Sequence, residues 1–240
     1  MLQAWFGMLL ILLIMKKHFI FLTLLLFTMN AKAGDIFPLI NETMKIVQKQ
    51  FSAIPNERKA ELKKLSEYIQ ERVAKHQKVS LTFICTHNSR RSHFGQIWAQ
   101  TAAAYYGITN IYCYSGGTET TAFNSNAVKA LQKVGFEIKQ LSEGTNPHYE
   151  VKYSADYPAL DAYSKKYGDA PNPSKDFGAV LTCSQADASC PIVFGADRRF
   201  NVPYEDPKLS DGTNQQEKVY HERSIQIASE MMYVFSLIKL

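Results

Sequence analysis

A cysteine and an arginine separated by five residues are the side chains of this sequence best suited to chemistry. Cys85 follows an apolar, β-prone run at residues 79–84, and Arg91 closes the short polar loop after it. A loop of five residues can wrap its backbone N–H groups around one tetrahedral oxyanion, and a guanidinium fork can bind two oxyanion oxygens. Ser92 can donate a hydrogen bond to the cysteine sulfur. The spacing therefore predicts a nucleophilic cysteine beneath a bound phosphate-like group.

The alternative to a nucleophile is a buried core cysteine followed by a solvated, basic helix start. The residues inside the loop help to choose between these two interpretations. From Cys85 to Ser92 the sequence reads CTHNSRRS. This resembles the active-site loop of the low-molecular-weight protein tyrosine phosphatase superfamily, which includes the thioredoxin-coupled arsenate reductases. His87 stands where the family usually has glycine, and Arg90 where many members have a second cysteine. The resemblance implies that Cys85 is the nucleophile and that Arg91 and the loop bind the oxyanion, the other loop residues being Thr86, His87, Asn88, Ser89, Arg90 and Ser92.

A second pair of cysteines, Cys183 and Cys190, follows the apolar run 177–182. The pair resembles the redox segment of thioredoxin-coupled arsenate reductases, in which one cysteine attacks a cysteine–arsenate adduct and the next resolves the disulfide. Phosphatase members generally lack this pair. The residues alone leave an ordinary structural disulfide open, because exported proteins meet oxidising conditions.

An Asp-Pro dipeptide at residues 206 and 207 follows the last predicted strand. The phosphatases carry an aspartate in this position that protonates the leaving oxygen, so the resemblance implies that Asp206 is a general acid. A simple Asp-Pro turn is the alternative interpretation. The expected catalytic residues are therefore Cys85, Arg91 and Asp206.

Alternating strands and helices must position these residues. The pattern predicts helices beginning at Ser92, at Asn124 or Ser125 and at Thr213, and strands at residues 79–84, 111–115, 150–154, 177–182 and 200–203. This alternation is typical of a parallel α/β sheet, which binds ligands at the carboxyl ends of its strands. The resemblance extends over residues 79–240 with an insertion, and it implies a four-stranded parallel sheet flanked by helices.

Two segments lie outside that pattern. Residues 34–78 predict an N-terminal helical extension of two helices separated at Pro55, with an apolar stripe made by Leu62, Leu65, Ile69 and Val73. Residues 156–176 read as a long loop around a short helix at 160–167. Such a loop either selects substrate or is a surface insertion without contact to ligand.

The N-terminal residues predict an export signal. Apolar runs, a basic Lys16-Lys17 pair and an Ala-Lys-Ala site at residues 31–33 predict a cleaved signal peptide over residues 1–33, so the protein is expected to be periplasmic or secreted without a stable membrane span. Cleavage removes three lysines and no acid, which lowers the formal net charge from +5 to +2. That balance indicates no nucleic-acid partner.

Two activities and one binding function are consistent with these features. The leading expectation is a phosphatase that attacks a phosphorylated protein or a small phosphomonoester through Cys85 and needs no cofactor or metal. The alternative is arsenate reduction by Cys85, Cys183 and Cys190, which requires a thiol reductant such as a thioredoxin-like partner. The third is an oxyanion-binding module without turnover, which has no need of a nucleophile and an acid.

Overall fold

The computed structural model describes residues 35–184 and 192–240. The helices are α1 (Pro38–Gln48), α2 (Asn56–Ala74), α3 (Arg91–Tyr105), α4 (Ser125–Lys133) and α5 (Gln216–Ser236), with short 3-10 turns at Phe51–Ala53 and Pro207–Ser210. The strands are β1 (Val79–Cys85), β2 (Ile111–Gly117), β3 (Glu137–Gln140), β4 (Tyr149–Lys152), β5 (Leu160–Ala162), β6 (Phe177–Leu181) and β7 (Ala196–Asn201). Within these described ranges, no helix is both long and apolar enough to cross a membrane.

The central sheet has four parallel strands in the order β2-β1-β6-β7. Strands β1 and β6 are buried at every residue, which explains their continuous apolar sequences, because helices cover a parallel sheet on its faces. The predicted four-stranded parallel sheet flanked by helices is confirmed.

The C-terminal helix α5 organises the helical layer, since it contacts α1, α2, α3 and α4. Tyr220, Ile227 and Met231 on its inner face are each at most 1% exposed. Trp98 of α3 is fully buried, and its indole N–H donates to Ser224 Oγ at 2.9 Å. Burying an indole with a satisfied N–H stabilises the α3–α5 contact without leaving an unpaired donor.

The predicted N-terminal extension forms α1 and α2, which are separated at Pro55 as expected. Leu62, Leu65 and Ile69 are fully buried, and Val73 is partly buried against the core. The apolar stripe therefore packs α2 onto the domain.

Between β2 and β6, the strand expected at 150–154 is present as β4 but lies in a different sheet, and the helix expected at 160–167 is wrong. The strand expected at 150–154 does not join the parallel sheet, because β4 pairs antiparallel with β3 and β5 in a separate three-stranded sheet. The helix expected at 160–167 is instead β5 followed by extended chain. Backbone bonds to distant partners hold it extended: Ser164 N donates to Asn146 Oδ1 at 3.0 Å, and Tyr167 N donates to Gly117 O at 2.9 Å.

The parallel sheet brings three predicted site residues to one edge. Cys85 is the last residue of β1, Cys183 lies just after the end of β6, and Asp206 follows β7. Carboxyl ends of parallel strands meet at the same edge, where α/β proteins bind their ligands. Cys190 and the predicted signal at residues 1–33 lie outside the described residues.

Candidate active site

Cys85 lies at the bottom of the loop that joins β1 to α3. Its side chain is buried, and its Sγ is 3.2 Å from Ser92 Oγ. Ser92 Oγ also accepts a hydrogen bond from Asn88 Nδ2 at 2.9 Å. Because the Asn88 amide occupies an acceptor position on this oxygen, the serine hydroxyl proton is available to the cysteine sulfur.

The loop backbone turns its carbonyls outward and leaves its N–H groups for a ligand. Among the described residues, the N–H groups of residues 86–91 have no hydrogen-bond partner. The carbonyl oxygens of three loop residues accept bonds from surrounding segments: Thr86 from Glu119 N at 2.8 Å, His87 from Ser164 Oγ at 2.9 Å, and Ser89 from Asn124 N at 2.9 Å. Converging N–H groups at the start of a helix form an oxyanion site.

Asn88 is the conformational centre of this loop. It is fully buried and has φ +43°, in the left-handed region that asparagine tolerates better than most residues. Its Oδ1 accepts a hydrogen bond from the backbone N–H of Lys165 at 2.9 Å. The left-handed residue is Asn88 and not His87, so histidine in the usual glycine position introduces no left-handed strain.

We expect Asn88→Ala to lower the free energy of unfolding by about 2–4 kcal/mol, because it combines left-handed strain with the loss of two buried hydrogen bonds. Asn110→Ala is the matched control, since Asn110 has φ +60° and is exposed. Urea unfolding of both variants separates the cost of left-handed strain from the cost of losing the two side-chain hydrogen bonds. If Asn88→Ala costs no more than Asn110→Ala, the side-chain bonds of Asn88 do not stabilise the loop.

Arg91 and Asp206 face each other across the site. Arg91 is 6% exposed, its Nη2 donates to Asp206 Oδ2 at 2.6 Å, and its Nη1 donates to Tyr204 O at 3.0 Å. Its Nε has no partner within the described part of the chain. Asp206 Oδ1 also accepts from Lys208 N at 3.1 Å, which caps the following 3-10 turn. The loop arginine and the expected acid are therefore in direct contact.

Other loop side chains point away from the oxyanion site. Arg90 Nε donates to Tyr220 OH at 2.7 Å, and Tyr220 OH donates to Asp211 Oδ1 at 2.7 Å. Ser89 Oγ donates to Ala122 O at 2.7 Å. His87 Nε2 lies 3.4 Å from a carboxylate oxygen of Glu119. These side chains attach the loop to its surroundings, and their contribution to an oxyanion is their backbone N–H.

Cys183 lies beside the same loop. It is 1% exposed, and its Sγ is 3.6 Å from Thr86 Oγ1. The strand ends are held together by Thr182 N, which donates to Ile84 O at 2.7 Å. Cys85 and Cys183 belong to one buried apolar cluster. The parallel sheet thus brings together cysteines 98 positions apart in sequence.

The sequence did not predict the roles of three neighbours of the loop. Gly117 ends β2, and a Cβ there would lie 2.6 Å from Thr86 O and 2.8 Å from Asn88 N. The backbone of the loop therefore requires glycine at this position. Ser164 and Lys165, in the insertion between β5 and β6, bind the loop through His87 and Asn88. The consecutive glycines at 116 and 117 were the one available sequence signal.

His93, in the first turn of α3, is fully buried behind the loop. Burial, with a contribution from the positive charge of Lys165, holds the pKa of the imidazole well below its ordinary value. Its Nδ1 lies 3.2 Å from Ser115 Oγ, and its ring stacks on Phe123 at 4.1 Å. This neutral histidine packs between α3 and its neighbours.

Sequence comparison connects this site with known enzymes. No protein-family model matches the chain. An arsenate reductase of Bacillus cereus (strain Q1) is 30% identical over 131 residues, which are 54% of this chain and 78% of the relative. The chain belongs to the low-molecular-weight protein tyrosine phosphatase and arsenate reductase superfamily. A second relative in this superfamily, the arsenate reductase of Bacillus licheniformis, is 25% identical over 147 residues, covering 61% of this chain and 86% of its own length.

The solved structures that are similar to this superfamily member include a phosphotyrosine phosphatase and an arsenate reductase. A low-molecular-weight phosphotyrosine phosphatase from Vibrio cholerae O395 matches 66% of this chain and 95% of its own, with 15% identity and a TM-score of 0.44. An arsenate reductase in the phosphate-binding state matches 67% of this chain and 99% of its own, with 16% identity and a TM-score of 0.42.

Proposed function

We propose that this protein is an arsenate reductase in which Cys85, Cys183 and Cys190 transfer electrons in sequence. The observation that carries the proposal is the position of Cys183, whose Sγ is 3.6 Å from the first residue after Cys85. The curated relatives named arsenate reductase support it. We therefore place arsenate reduction ahead of phosphate ester hydrolysis, which was the leading expectation from the sequence.

The first step uses the oxyanion loop. Arsenate accepts hydrogen bonds from the backbone N–H groups of residues 86–91, and Arg91 binds two of its oxygens. The Cys85 sulfur attacks arsenic and forms an S–As bond, while one As–O bond breaks. The departing oxygen takes up protons and leaves as water, and Asp206, in contact with Arg91, is the carboxyl group proposed to supply a proton.

The second step moves two electrons to arsenic. Cys183 attacks the Cys85 sulfur, an S–S bond forms, and the S–As bond breaks with its electron pair on arsenic, which leaves as arsenite. Cys190 then attacks Cys183, which produces a Cys183–Cys190 disulfide and regenerates the Cys85 thiol. A dithiol reductant of the thioredoxin class restores the pair. In an exported chain this reductant has to act outside the cytoplasm.

The test is Cys183→Ser in a paired assay on the reduced protein, with arsenite formation from arsenate and hydrolysis of an aryl phosphate measured side by side. Arsenite formation is expected to fall by about 10²-fold, leaving only slow attack on the adduct by the external thiol. Hydrolysis, which needs no second cysteine, is expected to be retained. Cys113→Ser, in β2 away from the loop, is expected to keep both activities.

The other possible results of this paired assay distinguish the remaining functions. Arsenite formation that survives Cys183→Ser removes this cysteine from the reaction and contradicts the proposal. Hydrolysis without arsenite formation in the unsubstituted protein makes the enzyme a phosphatase. Absence of both activities, with phosphate still bound, leaves the oxyanion-binding module.

Phosphomonoester hydrolysis is the second candidate, favoured by the carboxylate of Asp206 beside Arg91. In this reaction Cys85 forms a thiophosphate, Asp206 protonates the leaving oxygen, and the same carboxylate then accepts a proton from attacking water. Neither step needs a metal.

We expect Asp206→Asn to lower kcat for aryl phosphate hydrolysis by about 10²-fold, because asparagine cannot transfer the proton. The loss should shrink for esters with good leaving groups, such as a dinitrophenyl phosphate, since these leave without protonation. An equal loss for good and poor leaving groups would assign Asp206 to positioning Arg91 instead.

A further inference from the structure

The N-terminal extension reaches the segment that carries the expected acid. Arg58 lies in the first turn of α2, ahead of residues 79–240, over which the superfamily resemblance extends. Its side chain is 18% exposed, and its Nη2 donates to the backbone oxygen of Pro203 at 3.2 Å. Its guanidinium carbon also lies over the Tyr204 ring, 4.8 Å from the ring centre. A residue outside the shared domain therefore contacts the backbone between β7 and Asp206.

A buried carboxylate on α5 holds Arg58 in this position. Arg58 Nε donates to Glu230 Oε2 at 2.9 Å, and its Nη2 lies 2.7 Å from the same oxygen. The Glu230 side chain is 5% exposed, and its other oxygen accepts from Gln226 Nε2 at 3.3 Å. A buried carboxylate is costly without a cation, and a planar guanidinium pairs with it in a defined orientation. Glu230 thereby directs Arg58 Nη2 toward the Pro203 oxygen.

The peptide group between Pro203 and Tyr204 is bonded at both of its polar atoms. Its oxygen accepts from Arg58, and its N–H donates to Thr182 O at 3.1 Å, just after β6. Because a peptide group is planar and rigid, these two bonds fix its position and orientation. The next carbonyl along the chain, Tyr204 O, accepts from Arg91 Nη1 at 3.0 Å. The acceptor that holds the loop arginine is therefore attached to a peptide that Arg58 fixes.

We propose that Arg58 is a positioning residue for the oxyanion site. It fixes the peptide at 203–204, which places the acceptor of Arg91 Nη1 and so directs the rest of that guanidinium toward the oxyanion. The inference rests on the proposed function through the oxyanion site alone, which arsenate reduction and ester hydrolysis share. The N-terminal extension is then part of the active-site architecture as well as a cover for the sheet.

Isothermal titration of the full-length protein with inorganic phosphate tests this proposal. Arg58→Lys keeps a positive charge beside Glu230, but an ammonium lacks the planar fork whose Nε and Nη2 reach Glu230 and Pro203 O. It is expected to raise the Kd for phosphate at least about fivefold, because the bond to the Pro203 oxygen is weakened or lost.

Arg72→Lys is the matched control on the same helix. Arg72 lies in the last turn of α2 and binds Asp197 of β7, so it also attaches the extension to the domain. Its hydrogen bonds go to Asp197 and Lys78 O, and none goes to residues 203–206. Arg72→Lys is therefore expected to change the Kd for phosphate by less than about twofold.

A double variant separates positioning from the stability of the buried ion pair. Arg58→Met combined with Glu230→Met removes both charges, and apolar replacement of a whole buried pair is often neutral for folding. Its phosphate affinity is expected to remain at least about tenfold below that of the unsubstituted protein, because the bond to Pro203 O is absent. Affinity restored in a folded double variant would mean that Arg58 only neutralises Glu230, which contradicts positioning. Arg58→Lys keeps the test decisive if the double variant does not fold.

NMR of the nitrogen-labelled protein reports the position of Arg91 directly. Its Nε–H resonance, assigned by its loss in Arg91→Lys, depends on where the guanidinium lies. Arg58→Lys is expected to shift this resonance and Arg72→Lys to leave it in place. A residue that only stabilises the fold would not move it.

The remaining outcomes distinguish this inference from the proposed function. Unchanged phosphate affinity or an unmoved Arg91 resonance in Arg58→Lys overturns the positioning role, as does an equal loss of affinity in Arg72→Lys. Failure of the unsubstituted protein to bind phosphate overturns the oxyanion site and this inference together. Phosphate binding that depends on Arg58, in a protein that neither forms arsenite nor hydrolyses esters, supports the positioning role and contradicts the proposed reaction alone.

Discussion

Replacement of Cys85 by serine is expected to reduce both arsenite formation and aryl phosphate hydrolysis below detection. Serine preserves the size of the side chain and its contact with Ser92 Oγ, at 3.2 Å from the cysteine sulfur. A serine hydroxyl is nevertheless a weak nucleophile unless a general base activates it. In addition, arsenate reduction requires a sulfur that forms and exchanges a disulfide, which oxygen cannot supply.

The control is the binding of inorganic phosphate, measured by calorimetry on the same Cys85→Ser protein. Binding should be retained, because the N–H groups of residues 86–91 and the Arg91 fork remain in place. Cys113→Ser, which changes a buried cysteine of β2, should retain turnover. Measurable turnover in Cys85→Ser, or its loss together with phosphate binding, would contradict the assignment of a nucleophile.

The segment from β1 through the loop to α3 could be predicted because its determinants are local. An apolar strand, five polar residues and a helix with a buried apolar face follow one another within residues 79–105, and the structure contains them with boundaries shifted by one residue or so. The meeting of Arg91 with Asp206 could be anticipated too. Both follow the carboxyl ends of strands, and parallel pairing brings such ends to one edge.

The structure of the insertion between β5 and β6 could not be predicted, because it depends on partners that are distant in sequence. Ser164 and Lys165 bond to His87 and Asn88, which lie 77 positions earlier in the sequence. These bonds hold an extended chain where the local pattern favoured a helix. Tertiary hydrogen bonds override helix propensity, which amounts to a few tenths of a kcal/mol per residue.

The loop motif also does not predict where the side chains of the two adjacent arginines point. Arg90 and Arg91 are neighbours, yet one turns to Tyr220 and the other to Asp206. The difference arises where the helix begins, because α3 starts at Arg91 while Arg90 has a non-helical backbone conformation, φ −136° and ψ −80°. The loop motif includes Arg90 but does not separate its role from that of Arg91.

Arg91→Lys is expected to lower kcat/KM for arsenate and for aryl phosphate by about 10³-fold, since it removes more than one donor from the oxyanion and each is worth about 10²–10³ in rate. Lysine keeps the charge and so preserves a counter-ion for Asp206. It cannot reproduce a planar fork whose Nη1 and Nη2 reach Tyr204 and Asp206 together. Steady-state kinetics with both substrates measures the loss.

Arg90→Lys is the matched comparison within the same loop. It breaks the 2.7 Å bond from Arg90 Nε to Tyr220 OH, which lies outside the oxyanion site. The expected result is a decrease of about 1 kcal/mol in the free energy of unfolding, with kcat/KM lowered by less than about tenfold. Because the two residues are neighbours in the loop and the charge and the substitution type are the same, the ratio of the two losses isolates the Arg91 fork. If both variants lose activity equally, the fork is not what stabilises the reacting oxyanion, and Arg91 acts only through the structure of the loop.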